Sequence, residues 1–327
     1  MNAAHGLPTL LDHNTSVVVR EPLGAGDGWW AGAPGAFVDP ADGAIYITYR
    51  YRRPRGIEPD RGGETRLARS TDGIEFDDLC ALTKDQFHST SIERCAIRRA
   101  DDGAWLYYVS YVDPADSRWR IDLVEARRPD AFDPAARTPL FTAPPLGLEG
   151  VKDPWILRIG PIWYMLISYA TAPTRQASSD QMHGTADVYN TGLIKSASAL
   201  ATSTDGRTWT WHGDIFHPTR EGAWDSYATR LGCIVPHGGG WLGLYDGSAS
   251  VEGNYEERIG LATSGDLFTW RGLSPDGPAI VSPHGSGSLR YADSIVAPSG
   301  QRLFYFEAAR PDGSHDLRVS WLPEPQG

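Results

Sequence analysis

Three acidic residues stand at similar points of the sequence, each just ahead of a run of β-branched and aromatic residues. Asp153 precedes the run 155–159 and is followed by Pro154, which biases the backbone of the acid towards extended conformations. Glu93 and Asp293 precede comparable runs. Carboxyl groups gathered in one place can donate a proton to a ligand, accept one from it or attack it. These three acids are therefore the candidate catalytic residues.

Each acid belongs to a two-strand pattern that recurs along the chain. The strand pairs predicted by alternating and aromatic residues are 35–40 with 44–52, 93–99 with 104–112, 155–159 with 162–169, 230–236 with 241–246, and 293–297 with 302–308. Turns rich in glycine separate the two strands of a pair. A third strand follows each pair, and these third strands begin at Leu67, Leu123, Leu200, Leu261 and Leu317.

Repetition at blade-sized intervals predicts an all-β, five-bladed β-propeller, with antiparallel four-stranded blades around a central axial pocket. The predicted blades span roughly 33–80, 90–145, 150–218, 224–275 and 289–324, within a single domain covering 1–327. A β-sandwich or two small all-β domains are the alternatives. We favour the propeller because the strands of a sandwich have no reason to repeat in the same order.

Composition narrows the possible partners. The formal net charge of −11 argues against binding to nucleic acid or to an anionic membrane surface, and no apolar run approaches the ~20 residues that span a bilayer. The three cysteines lack metal-binding spacing and are predicted to be reduced thiols. Because the first twenty residues do not resemble a signal peptide, we predict a cytoplasmic protein. No cofactor or metal is predicted, although a structural Ca²⁺ on the axis stays open.

The first strands of a propeller begin at one face of the axis, so residues at those positions should converge. Aligning the repeats places Ala33, Glu93, Asp153, Arg230 and Asp293 there. Loops between second and third strands should form the walls of the pocket. The predicted substrate-binding residues are Arg50, Arg230, Asp246, Tyr255, Glu257, Glu307 and His315. Structural pairing of the acids with neighbouring arginines or lysines is the alternative.

With these residues in place, the chain resembles the five-bladed propeller glycosidases of glycoside hydrolase families 43 and 32 and the related family 130. Lys152-Asp153-Pro154 is similar to the Arg-Asp-Pro motif of family 32, whereas 150–154 and 67–76 are more similar to segments of family 130. The resemblance implies a carbohydrate substrate and a glycosidase. One departure stands out, because the catalytic aspartate of the first blade in families 43 and 32 has no counterpart in 31–35.

Glycoside cleavage needs one carboxylic acid to protonate the leaving oxygen and a carboxylate to act as base or nucleophile. We expect Glu93 to be the general acid and Asp293 the base or nucleophile. The resemblance implies that Asp153 binds sugar hydroxyls and tunes the pKa values of the other two acids. The expected activity is the hydrolysis of small oligosaccharides or glycosides, attacked from the end.

Two other functions stay open. A phosphorylase would use the arginines of 50–55 to hold inorganic phosphate, since guanidinium groups bind oxyanions in a forked geometry. A non-catalytic sugar-binding propeller is the second possibility, because the first blade lacks an acid at the axis.

Overall fold

The computed structural model describes residues 10–321, and almost all of their regular structure is β-strand. The first strand is β1 (Val17–Arg20). Unit 1 contains β2 (Trp30–Val38), β3 (Ile45–Arg53), β4 (Arg61–Ser70) and β5 (Asp77–Thr83). Unit 2 contains β6 (Ala96–Arg99), β7 (Trp105–Val112), β8 (Trp119–Ala126) and β9 (Thr138–Phe141). Unit 3 contains β10 (Gly150–Ile159), β11 (Ile162–Ala170), β12 (Ser196–Ser203) and β13 (Thr210–Phe216). Unit 4 contains β14 (Ala228–His237), β15 (Gly240–Ser248), β16 (Arg258–Ser264) and β17 (Arg271–Gly272). Unit 5 contains β18 (Leu289–Val296), β19 (Arg302–Ala309) and β20 (His315–Trp321).

Helices are short and lie in connections. The α-helix α1 is Ser179–His183, and the 3-10 helices are His13–Thr15, Lys84–Phe87, Pro134–Ala136, Pro144–Leu146 and Val188–Asn190. None of the described helices is long and apolar enough to cross a bilayer. Cys80, Cys95 and Cys233 form no disulfide, and the predicted cytoplasmic location stays a prediction.

Consecutive strands pair antiparallel within every unit. Single parallel bridges join unit 1 to unit 5, at Trp30 and His315, and unit 3 to unit 4, at Ser196 and Ala228. The first strands contact one another in a closed cycle that runs β2, β6, β10, β14, β18 and back to β2. The all-β prediction is therefore confirmed, and the units are arranged around a common axis.

One strand was missed in the sequence. β1 pairs antiparallel with β20, Val17 opposite Val319, and so adds a fourth strand to unit 5 from the other end of the described chain. The predicted last blade, 289–324, lacked this strand, and its final three residues lie outside the described part. Residues 1–9 of the predicted single domain also lie outside it.

The recurring Ser-x-Asp sequence forms a turn that ends three of the third strands. In 70–75, Ser70 Oγ lies 2.9 Å from Asp72 Oδ1, which accepts the N–H groups of Ile74 and Glu75. The turns at Asp205 and Asp266 repeat these bonds. Aromatic residues of adjacent units bind two of these turns, since Tyr305 Oη donates to Gly73 O and Tyr108 Oη to Gly206 O. The repeat thus encodes contacts between units as well as turns.

Apolar clusters fill the spaces between adjacent units. Ile47 of unit 1 packs with Tyr305 of unit 5, and Leu106 of unit 2 packs with Met165 of unit 3. These clusters stabilise the ring because each buried apolar side chain contributes roughly 1.5–3 kcal/mol.

The centre of the ring holds a buried arginine. Arg94, which follows Glu93 in unit 2, donates to the carbonyl oxygens of Pro34, Gly232 and Ala292 at 2.8–3.0 Å, one each from units 1, 4 and 5. Its guanidinium also lies 3.6 Å from a carboxylate oxygen of Asp293. One cation therefore ties four units together on the axis.

Replacing Arg94 with methionine should lower the free energy of unfolding by roughly 3–5 kcal/mol, because three buried carbonyls and the charge of Asp293 lose their partner. Chemical denaturation followed by tryptophan fluorescence measures this. Arg128→Met is the matched control, since the Arg128 side chain is 73% exposed and pairs with Asp130 on the surface. Equal stabilities for the two variants would contradict the role of Arg94.

Candidate active site

Charged side chains from every unit meet at the end of the axis where the first strands begin. The strand register places Gly32 opposite Arg50, Lys152 opposite Ser168, Arg230 opposite Asp246 and Arg290 opposite Glu307, while the N–H of Glu93 donates to Ser110 O. Asp153, Glu257 and Tyr291 lie beside these residues. We call the charged residues of this level, together with Tyr291, the axial cluster: Arg50, Glu93, Lys152, Asp153, Arg230, Asp246, Glu257, Arg290, Tyr291 and Glu307. All ten are buried.

Bulges in three first strands control which residues reach the axis. Ala33, Asp153 and Tyr291 lie in these bulges with φ of 52°, 57° and 53°. A non-glycine residue in this left-handed region costs roughly 1–2 kcal/mol, and such strain is concentrated at functional sites. The bulges show that Tyr291, and not Asp293, is the counterpart of Asp153.

The structure corrects the assignment of Asp293 as base or nucleophile. One of its carboxylate oxygens accepts the N–H of Ala36 at 2.6 Å, and the other accepts the indole N–H of Trp155 at 2.6 Å and the N–H of Ser294 at 2.7 Å. Arg94 supplies the counter-charge. Asp293 is therefore a structural residue, fully engaged at the centre of the ring.

Alternating charges link the units across the axial cluster. Arg50 bridges Glu93 and Glu307, Arg290 bridges Glu307 and Glu257 at 2.7–2.9 Å, and Glu257 in turn pairs with Arg230. The sequence order alone did not show this network, because its members come from first strands, second strands and one loop. Burial raises the pKa of Glu307, but the charges of Arg290 and Arg50 outweigh burial and hold that pKa well below its usual range.

The surroundings of Glu93 favour the ionised form over the protonated form that a general acid needs, and its role stays a prediction. Burial raises the pKa of Glu93, but the charge of Arg50, followed by that of Lys152, lowers it to about 2. Its Oε2 is held by Arg50 and by the hydroxyl of Tyr291 at 3.2 Å. A carboxylate that stays ionised at neutral pH cannot serve as a proton donor.

Asp246 has the opposite electrostatics. Burial raises its pKa from 3.8 to about 6, although Arg230 and Arg94 act in the other direction. Both of its oxygens accept the backbone N–H of Tyr291, at 3.0 and 3.2 Å. Asp246 is therefore the acid of the cluster that can carry a proton near neutral pH.

Asp153 is the one member of the axial cluster whose two carboxylate oxygens are both buried without a hydrogen-bond partner among residues 10–321. Its side chain is 4% exposed, and Lys152 Nζ lies 3.4 Å from Oδ2 as an ion pair. The ammonium group of Lys152 also lies over the ring of Tyr189, 4.6 Å from its centroid. Buried polar atoms are almost always satisfied, so an exception such as Asp153 calls for a functional explanation.

His315 lies at the edge of the cluster between two carboxylates, with Nδ1 2.8 Å from Glu307 and Nε2 3.2 Å from Glu256. Burial alone would lower the pKa of His315, yet these hydrogen bonds raise it above the ordinary value. Its ring stacks on Trp30 at 4.7 Å, and the guanidinium of Arg52 lies 4.0 Å from the Trp30 ring centroid.

Loops of units 3 and 4 lie against the cluster, since Tyr189 contacts Lys152 and Asn254 O accepts a hydrogen bond from Arg230. The insert 171–195 places Asp187 within hydrogen-bond distance of Tyr255, 2.6 Å, and of the Trp119 indole, 3.3 Å. Arg61 of unit 1 also pairs with Asp187, at 3.6 Å. Tyr255 therefore lies above the cluster as part of its cover.

Nine of the ten residues predicted as catalytic or substrate-binding come together at this end of the axis, and Asp293 does not. Their roles stay predictions. Sequence reasoning missed Arg290 and Tyr291, although aligning Tyr291-Ala292 with Asp153-Pro154 and Ala33-Pro34 would have found them. Within the described range, no group of three or more His, Cys, Asp or Glu side chains is placed to hold a metal ion.

A cavity of about 490 Å³ lies at the opposite end of the axis, but no acidic side chain from the described chain lines it. Acid–base chemistry therefore points to the axial cluster and not to that cavity.

Solved structures with the same architecture provide a comparison. A thermostable family-43 glycoside hydrolase is 13% identical, with a TM-score of 0.63 and coverage of 94% of each chain. The GH43_1 enzyme from Xanthomonas citri, in complex with xylotriose, is 14% identical, with a TM-score of 0.61 over 96% of this chain and 92% of that one. The chain has the β-propeller fold of these glycosidases. The β-1,2-mannobiose phosphorylase from Listeria innocua shares it too, at 15% identity and a TM-score of 0.59, over 95% of this chain and 96% of that one.

The resemblance inferred from short motifs is thus confirmed at the level of fold. No protein-family model and no curated protein sequence matches the chain. At identities this low the likeness carries the architecture alone, so the chemistry must be argued from the residues of the axial cluster.

The two aspartates should differ sharply in what they contribute to stability. Asp153→Asn should change the free energy of unfolding by less than about 1 kcal/mol, because the carboxylate has no hydrogen bond within residues 10–321 to lose, asparagine tolerates a left-handed backbone, and Lys152 keeps the charge of Glu93 nearby. Asp293→Asn should lower it by roughly 3 kcal/mol, because the carboxylate loses its charge and one acceptor. Urea unfolding of both variants measures this, and a large loss in Asp153→Asn would show that Asp153 is structural.

Proposed function

We propose that residues 10–321 form a single five-bladed β-propeller, in which units 1–5 are the blades, and that it is a glycoside hydrolase with its active site at the axial cluster. The closed cycle of first strands supports the blade count, as does the completion of unit 5 by β1. The structural neighbours with this fold include enzymes that act on glycosides.

One observation carries the proposal beyond the fold. Asp153 presents a buried carboxylate that no donor within residues 10–321 hydrogen-bonds, on left-handed backbone, at the axis of the ring. Such a group destabilises the folded protein unless a ligand uses it. A sugar hydroxyl, a water molecule or an anomeric carbon is the kind of partner that a glycosidase would supply.

Asp246 is the proposed general acid. Its pKa of about 6 lets it hold a proton at mildly acidic to neutral pH, whereas the pKa values of Glu93 and Glu307 are lowered by arginine charges. A pair of carboxyl groups whose environments push their pKa values apart is the arrangement that acid–base catalysis requires.

Asp153 is the proposed base or nucleophile, and the ammonium group of Lys152 lies 3.4 Å from its Oδ2. Glu93 is proposed as a permanent negative charge that stabilises the positive charge developing on the sugar ring in the transition state. Tyr291 connects Glu93 with Asp246, because its hydroxyl donates a hydrogen bond to Glu93 and its backbone N–H donates to Asp246.

Hydrolysis is favoured over phosphorolysis by the state of the arginines. Arg50, Arg230 and Arg290 of the axial cluster are each paired with at least one buried glutamate, whereas Arg52 has no carboxylate within 4.0 Å among residues 10–321 but lies outside the cluster, against Trp30 and Tyr255. A phosphorylase needs at least one available guanidinium fork for inorganic phosphate. The insert 171–195 and the loop carrying Tyr255 cover the site, which favours small substrates attacked at one end.

An activity screen tests the proposal directly. The purified protein should release nitrophenol from at least one nitrophenyl furanoside or pyranoside without phosphate, and Asp153→Asn should abolish this release while remaining folded. Release that depends on added phosphate would indicate a phosphorylase. No release in either condition, with sugar binding retained in calorimetry, would indicate a sugar-binding propeller and contradict the hydrolase.

The role of Asp246 is tested by changing the leaving group. Asp246→Asn should lower kcat by about 10²–10⁴-fold on a disaccharide or alkyl glycoside, because the leaving oxygen must be protonated. The loss should be much smaller on a nitrophenyl glycoside, whose leaving group needs little protonation.

The wild-type rate should also depend on pH in a defined direction. Because the pKa of Asp246 is raised to about 6, its carboxyl group is protonated below that pH and loses its proton above it. The kcat/KM for an alkyl glycoside should therefore fall as pH rises above about 6. A wild-type kcat/KM that rises with pH above 6 would contradict the acid role of Asp246. Equal losses of kcat on the alkyl and the nitrophenyl glycoside in Asp246→Asn would contradict it too.

A further inference from the structure

The cavity at the far end of the axis is built by all five units. Its walls come from the last residues of the first strands, including Phe37, Arg98, Ile156, Ile234 and Ile295. We call it the distal cavity. Its volume of about 490 Å³ is within the range of cavities that hold small organic ligands.

The distal cavity is separated from the axial cluster. Arg94 fills the axis between them with its bonds to Pro34, Gly232 and Ala292. One level further along, Arg98 donates to the carbonyl oxygens of Ala36, at 3.1 Å, and Ile156. A ligand in the distal cavity would therefore have no contact with the proposed catalytic residues.

The walls are apolar apart from arginines and one serine. Trp155, Trp163 and Trp241 line the cavity with aliphatic residues, and the charged lining consists of Arg98, Arg99, Arg158 and Arg302. An apolar chamber whose charged groups are all cations has the character of a site for an anion that carries an apolar body.

Two of the four arginines are neutralised by aspartates. Arg99 pairs with Asp39 at 2.7 Å, and Arg158 makes a forked pair with Asp101 at 2.6 and 2.8 Å. These two guanidinium groups are therefore poor candidates for binding a further anion.

The other two arginines have no carboxylate within 4.0 Å in the stretch 10–321. Arg302 donates to Ser294 Oγ at 3.0 Å, and Arg98 donates to backbone carbonyls. Burial lowers the pKa of Arg98, although the charge of Asp293 acts in the other direction. Positive charge at the floor and wall of the cavity is thus left without a direct counter-ion.

A third donor is also unused. Trp163 borders the cavity and is 2% exposed, yet its indole N–H has no acceptor among the described residues. A buried N–H without an acceptor costs roughly 1–3 kcal/mol, so it is rare unless a ligand satisfies it. This observation is independent of the arginines and also indicates an oxygen-bearing ligand.

We propose that the distal cavity is a binding site for a small amphipathic organic anion, with an apolar body against the tryptophans and a carboxylate or similar oxyanion at Arg302 and Arg98. The proposal does not depend on the glycosidase activity, since the two sites are at opposite ends of the axis.

Octanoate is a suitable probe, with 1-octanol as its uncharged counterpart and acetate as the head group alone. Quenching or enhancement of tryptophan fluorescence should report binding, because Trp155, Trp163 and Trp241 line the cavity. We expect octanoate to bind at least tenfold more tightly than either control ligand.

Two variants and a control localise the binding. Arg302→Gln removes one of the two arginines of the cavity that have no carboxylate partner within residues 10–321, and Val296→Trp fills the mouth of the cavity from a position that is 48% exposed and tolerant of a larger side chain. Each should weaken octanoate binding at least tenfold. Arg271→Gln, at an exposed arginine outside the distal cavity, should leave it unchanged.

Equal affinity for octanol and octanoate, or octanoate affinity unchanged in Arg302→Gln, would overturn the proposal, as would undetectable octanoate binding to the wild-type protein. Glycosidase activity in the same preparations separates the two hypotheses. A wild-type protein that binds octanoate but shows no glycosidase activity would count against the proposed function and not against the distal cavity site.

Discussion

A single guanidinium group at the centre of the ring satisfies backbone that the sheets leave unpaired. The bulges in the first strands interrupt their hydrogen-bond ladders, and Arg94 donates to carbonyl groups at these interruptions in units 1, 4 and 5. Buried carbonyls need donors, so the bulges are tolerated because Arg94 is there. The unit 5 bulge places Tyr291 on left-handed backbone at the axis, so the position of Tyr291 in the candidate site depends on this one arginine, while Asp153 lies in the equivalent bulge of unit 3.

Charge compensation then sorts the carboxyl groups by function. Glu93, Glu257 and Glu307 each pair with arginines, while Asp246 is buried against backbone N–H and has a raised pKa. Asp153 stands apart, with one lysine and no hydrogen bond among the described residues. A network of ion pairs therefore surrounds Asp153 and Asp246, the two acids to which the proposed function gives the acid–base roles.

The sequence predicted the strands and turns well because both depend on local residue patterns. The Ser-x-Asp turns and the paired aromatic strands were visible as a repeat, and the repeat led to the fold. It could not predict β1, whose partner is distant in the chain. It also misplaced Asp293, because an alignment on the acids lies two residues out of register with the bulges that hold Asp153 and Tyr291. The role of Glu93 was beyond sequence reasoning, since Arg50 comes from another unit and its contact decides the pKa.

The pairing of β1 with β20 has a consequence for how the molecule folds. The bond between Arg318 and Ser16 spans 302 positions, so unit 5 gains its outer strand only after nearly all of the described chain has been synthesised. Contacts between such distant segments close slowly and late. Until then the run Val17-Val18-Val19 is an unpaired, β-prone segment of the kind that associates with other exposed strand edges. Synthesis of β20, and not the folding of any one unit, would therefore set the moment at which the ring can close.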